Sequence, residues 1–206
     1  METYAGTRRP RAITHRDRLG GTEGNEILTS TIAAILTVLL VAEGITIIFI
    51  GGLLSVHMFI GLVLVPPLLL KLSSTGYRFA SYYLGARPYR EKGPPALPLR
   101  LMAPLFVVTT IGIFVTGIWL LLMGHKSDQV LFFHKVFFFV WSALFVVHFL
   151  YYAPRMLRSL RTDWSSIRRR AVPGSGLRGM LVAGSLGAGL ALSLSLLSTI
   201  GAWHHG

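Results

Sequence analysis

No cysteine occurs anywhere in the 206 residues, which excludes disulfides, cysteine-ligated iron–sulfur clusters and thioether-linked haem. Acidic side chains are nearly as scarce, eight Asp and Glu against twenty Lys and Arg, for a net charge of +12. Charged residues of both signs make up only 14% of the chain, whereas 52% of it is hydrophobic and the mean hydropathy is +0.61. That combination excludes an ordinary soluble domain. It fits an integral membrane protein.

Runs with little or no charge occur at Ile27–Ile50, Leu53–Leu72, Leu101–Met123, Val130–Ala153 and Leu177–Ala202. Each is near the ~20 residues that cross a hydrocarbon core as helix, so five transmembrane helices are expected and the fold class is all-α. The polar arm 1–26 is too long and too charged for a leader and the following apolar run exceeds a signal-peptide core, so the first span is expected to be retained.

The basic residues set an orientation. Five lie in the arm 1–26, six between Lys71 and Arg100 and seven between Arg155 and Arg178, whereas only Lys126 and Lys135 fall on the opposite side. By the positive-inside rule the N-terminus and the connections after spans two and four face the cytoplasm of a multi-pass cell-membrane protein, and the C-terminus lies outside. The same rule, with attraction to anionic lipid headgroups, accounts for the net charge without nucleic-acid binding, for which no module is present.

Residues 27–153 form the expected four-helix core. Gly51-Gly52 joins spans one and two and "GHKSDQ" joins spans three and four, both short enough to make antiparallel neighbours. The longer connection after span two is broken by Gly93, Pro94, Pro95 and Pro98, and its Tyr77, Arg78, Tyr82 and Tyr83 suit a ledge at the membrane interface. Segment 154–176 is expected to lie on the membrane as a basic helix before Pro173-Gly174 turns the chain into the fifth span, 177–206 with its short tail. In that span Gly179, Ala183, Gly187, Ala191 and Ser195 recur every four residues, a small-residue seam expected to pack on the core, with oligomerisation the alternative.

Ionisable groups inside a membrane are expensive and mark function. Here they are Glu43 in span one, His57 and Lys71 in span two, and His134, Lys135 and His148 in span four. A single such histidine can simply hydrogen-bond to a neighbouring helix. Their joint placement says more. His134 and His148 are fourteen residues apart, about 21 Å along a helix axis, and in a bundle underwound to about 3.5 residues per turn they point the same way. Spans two and four run in the same direction, and His57 and His134 each lie about four residues into their span. The two therefore share a depth and can hold one planar metal-centred ligand between them, the requirement for bis-imidazole haem ligation. Gly44 and Gly117 fall at that depth on spans one and three, where small residues would leave room for a macrocycle edge.

Histidines on the second and fourth helices, a His-x13-His spacing on the fourth and glycines on the first and third resemble the four-helix core of the transmembrane diheme cytochromes b, over roughly Ile27 to Ala153. The resemblance implies b-type haem, an outer site of His57, His134, Gly44 and Gly117, and an inner site one fourteen-residue step away. There this chain departs from the family. Lys71 stands where the second inner histidine would face His148, although Ser30 and Ala103 occupy the small-residue positions. Three readings stay open: His148 binds an inner haem with Lys71 or nothing opposite, His148 hydrogen-bonds across an unused site, or the register has shifted. Lys71 is expected to snorkel to the cytoplasmic headgroups, leaving one secure haem and a second possible. Pro66-Pro67 is expected to kink span two just before Lys71.

The resulting expectation is electron transfer through bis-histidine haem, between membrane quinone or quinol and a partner redox protein, in a subunit of an oxidoreductase and not an autonomous enzyme. Glu43 is a candidate proton acceptor for quinol oxidation, or else an interfacial carboxylate or a partner of Lys135. A histidine-containing channel or metal transporter and a structural membrane subunit are the alternatives. His15, His125, His204 and His205 are expected at the surface.

Overall fold

The computed structural model describes residues 19–93, 97–163 and 172–203. Most of the basic arm, residues 164–171 of the expected surface segment, and His15, His204 and His205 lie outside them. The described residues form seven helices and no strand: α1 (Gly21–Ile48), α2 (Ile50–Tyr83), α3 (Arg87–Glu91), α4 (Leu97–Met123), α5 (Asp128–Asp163), α6 (Ser175–Ser195) and α7 (Leu197–Ala202). Five of them, all but α3 and α7, are long and apolar enough to cross a membrane.

Two antiparallel hairpins, α1–α2 and α4–α5, are the building units. Their turns lie at one end of the molecule, here called the hairpin end. In the first, Gly52 and Leu53 N–H groups both donate to the Phe49 carbonyl, and Leu53 departs from helical dihedrals. Gly124, at φ 69°, ends α4 in the second. The hairpins meet through α1 against α5 and α2 against α4, less closely than the helices within each hairpin. The four helices thus close a ring with α2 and α5 at opposite corners. No described residue of α5 is fully buried, and its inner face, with His134, Trp141 and His148, is half-buried.

Lipid tails are as apolar as leucine, so packing and interhelical hydrogen bonds hold such a bundle together, the latter at about 0.6 kcal/mol each on average. Ile32, Leu36 and Leu64 form one buried cluster between α1 and α2, and Leu62, Leu121 and Ile200 another nearer the hairpin end. At the opposite end Asn25 and Thr29 of α1 bond to Ser74 of α2. Between α4 and α5, the Trp141 indole donates to Thr110 Oγ1 at 2.9 Å.

Several helices outrun their expected bounds. The segment read as a loop after span two is helical to Tyr83, and span four continues as helix through Pro154 to Asp163, so residues 154–163 extend α5 and form no separate surface helix. The tyrosine ledge has its aromatic contacts: Tyr77 packs edge-on against Tyr89, and Arg100 lies over the Tyr83 ring. Pro66-Pro67 leaves the local dihedrals helical, Leu53 being the sole non-helical residue inside α2.

The fifth long helix docks on α2. Pro67 has no N–H to offer the Val63 carbonyl one turn back, and Gly189 of α6 comes against that carbonyl so closely that a Cβ there would lie 2.4 Å from it. One turn on, Ser193 donates to the Phe59 carbonyl at 3.0 Å. Buried Arg178 ties the start of α6 to the start of α1, donating to the Leu19 and Pro173 carbonyls at 2.7 Å each. The packed positions are therefore Arg178, Val182, Gly189 and Ser193, and the small-residue seam expected to pack is not among them: Gly179, Ala183, Gly187, Ala191 and Ser195 are all exposed.

Candidate functional site

His57 lies two turns into α2, on the side facing α1. Its Nδ1 stands 3.0 Å from Glu43 Oε1 and 3.0 Å from Thr46 Oγ1, both on the last turns of α1. The Thr46 hydroxyl hydrogen is committed to the Glu43 backbone carbonyl, 2.6 Å away. The hydroxyl thus offers His57 only an acceptor, and so does a carboxylate. With Glu43 ionised, two acceptors face Nδ1, which puts the ring proton there and leaves the lone pair on Nε2. Gly61, one turn beyond His57, lies beside the carboxylate, where a Cβ would make ordinary van der Waals contact with Glu43 Oε1 at 3.4 Å. Glu43 is only 12% exposed.

The second hairpin repeats this arrangement with different residues. His134, on the second turn of α5, has Nδ1 3.1 Å from the Ile113 carbonyl and 2.9 Å from Thr116 Oγ1 on α4. The Thr116 hydroxyl hydrogen goes to the Gly112 carbonyl at 2.6 Å. Again Nδ1 is the donor and Nε2 keeps its lone pair. Gly117 makes this approach possible, since a Cβ there would meet His134 Cε1 at 3.1 Å. A Cβ on Gly44 would touch nothing within 4 Å.

His57 and His134 are carried by helices at opposite corners of the ring, each near the start of its helix. Among the described residues neither Nε2 has a hydrogen-bond partner. Also among the described residues, no three His, Cys, Asp or Glu side chains gather as ligands for a free metal ion. Bis-imidazole ligation of haem asks for only two protein nitrogens, the macrocycle supplying the equatorial ones. The pair meets that demand in number, and each ring has an Nε2 without a hydrogen-bond partner among the described residues.

The other pairing is of a different kind. The His148 ring is flanked by Phe106 of α4, with ring centroids 5.0 Å apart, and by Tyr152, at 4.7 Å. Lys71 does not extend along the helix toward headgroups. Its Nζ donates to the Thr29 carbonyl of α1 at 3.2 Å, beside the Asn25–Ser74 pair. Turning inward brings the ammonium to a carbonyl on the packed α1–α2 interface, which overturns the expectation that it snorkels. Ala103 is exposed, and Phe106 is the α4 side chain that meets His148, so no small residue on α4 clears the inner level. Ser30 is half-buried on α1.

Glu43 takes His57 as its partner, and Lys135 is exposed on the outside of α5. Thr46, Ile113, Thr116 and Gly61 carried no signal in the sequence reading. A threonine within two residues of a glycine, as Thr46 is of Gly44 and Thr116 of Gly117, on the helix preceding each histidine would have been the pattern to seek. No protein-family model, curated protein or solved structure matches the chain.

Proposed function

We propose that the protein is a membrane-bound b-type cytochrome whose one haem lies between His57 and His134, acting as an electron-transfer subunit. The observation that carries this reading is the hydrogen bonding of the two rings: each Nδ1 is tied down within its own hairpin, and each Nε2 has no hydrogen-bond partner among the described residues. Simple interhelical cross-linking uses one ring nitrogen and does not call for two histidines at one depth on opposite corners.

His57 and His134 would hold the haem, which when bound would supply a one-electron ferric–ferrous couple. The chain's own residues do the rest. Glu43, Thr46, Thr116 and the Ile113 carbonyl fix the rotation of the two imidazoles, and Gly117 lets α4 approach the His134 ring. The apolar helices around the pair exclude water. His134 is six residues from the first residue of α5, about 9 Å at a helical rise of ~1.5 Å per residue. An electron carrier at the hairpin end is therefore within short reach, and membrane quinone or quinol and a redox protein docked there are the exchange partners of this proposal. The positive-inside pattern turns the hairpin end to the outside of the cell membrane.

Phe106, Tyr152 and the inward Lys71 crowd the His148 level with protein side chains. This supports one haem, not two. The test is a reduced-minus-oxidised absorption spectrum of the detergent-purified protein. A Soret band with a sharp α-band on dithionite reduction is expected, and neither band would be seen if the histidines only cross-link helices.

A further inference from the structure

The two candidate ligands differ in what holds their second nitrogen. His134 is held by a backbone carbonyl and a hydroxyl, both neutral. His57 is held by a hydroxyl and by the carboxylate of Glu43, 3.0 Å from Nδ1 and largely shielded from solvent. Glu43 is the one acidic residue inside the five apolar spans. It touches the imidazole, its own helix through Thr46, and the space left by Gly61.

We infer that Glu43 is a positioning residue for the His57 imidazole, which lowers the reduction potential of the iron that this histidine ligates. The inference rests on the haem reading above and deepens it. A carboxylate accepting the Nδ1–H bond draws the proton toward itself and leaves more electron density on Nε2, making it a stronger donor. A stronger donor stabilises ferric over ferrous iron, and burial of the pair keeps the interaction from being screened. The Thr116–Ile113 set on the other face orients its ring in the same way without the carboxylate. The ligation is thus electronically lopsided, with the carboxylate supplied by α1.

The test is potentiometric titration of purified, haem-loaded Glu43→Leu, Glu43→Gln, Glu43→Asp and Thr116→Val beside the unaltered chain, with electron paramagnetic resonance of the ferric forms. Glu43→Leu should retain a low-spin bis-histidine spectrum with shifted g values. Its potential should rise by at least a tenfold change in the ferrous-to-ferric ratio at fixed ambient potential, about 59 mV for one electron. Glu43→Gln should rise by less, because its amide oxygen can still accept. Glu43→Asp should fall back toward the original value, and Thr116→Val, which leaves the Ile113 carbonyl in place, should move little. Unchanged potential and g values in haem-loaded Glu43→Leu would overturn the inference and leave the haem reading standing. If that variant loses haem, Glu43→Gln decides in its place, an unchanged potential again overturning the inference. An unaltered chain that binds no haem would overturn both.

Discussion

His57 on α2 and His134 on α5 stand at opposite corners of the helix ring, each with Nδ1 turned back into its own hairpin. The symmetry lies in the hydrogen bonding and not in the residues: Glu43 and Thr46 hold one ring as Ile113 and Thr116 hold the other.

The glycines at that depth separate fold from cofactor. A side chain on Gly44 meets no protein atom within 4 Å. Gly44→Val should leave the melting temperature of the haem-free protein within a degree or two, while lowering haem per chain in the loaded protein. Equal haem content in Gly44→Val would place this residue away from the macrocycle. Gly117→Val, by contrast, drives a methyl into the His134 ring and should lower both.

Replacing His148 removes ring contacts with Phe106 and Tyr152, worth about 0.5–1.5 kcal/mol each. His148→Ala should therefore destabilise the bundle in a thermal melt but leave the haem-to-chain ratio unaltered. A fall in that ratio would show an inner haem.

Lys71→Met replaces an interior ammonium by an apolar chain of similar length. Replacing a buried charge with a well-packed apolar group is often neutral or stabilising, and the Thr29 carbonyl it releases is a helical acceptor. Unchanged haem content and a melting temperature equal to or above that of the original chain are expected. Loss of a haem band on this substitution would mean that the amine ligates iron.

On α6, Gly189→Leu would push a Cβ to 2.4 Å from the Val63 carbonyl, and overpacking of this kind typically costs about 1–3 kcal/mol. Gly187→Leu, with no atom within 4 Å, should melt like the unaltered chain. If the two variants melt alike, the fifth helix docks through another face.

The spans were legible because a hydrocarbon core imposes length and apolarity on any helix that crosses it. The placement of His57 and His134 near the start of their helices was legible because the turns before them are short. Rotation was not. A repeat of four residues advances about 40° per step around a helix of ~3.6 residues per turn, so the positions from Gly179 to Ser195 wind away from any one face, and the helix packs through Val182, Gly189 and Ser193 instead. The same limit hid Thr46 and Thr116, whose side chains look like ordinary hydroxyls bonded to the preceding turn until the neighbouring histidine is seen beside them. The inward turn of Lys71 depends on a carbonyl of α1 that no pattern in α2 announces.

The most direct measurement is the pyridine haemochrome of the purified chain beside His57→Ala, His134→Ala and His148→Ala, expressed as haem per polypeptide. The account predicts one b-type haem in the unaltered chain and in His148→Ala, and none in the other two. No haem in the unaltered chain, or one retained by both His57→Ala and His134→Ala, would contradict it.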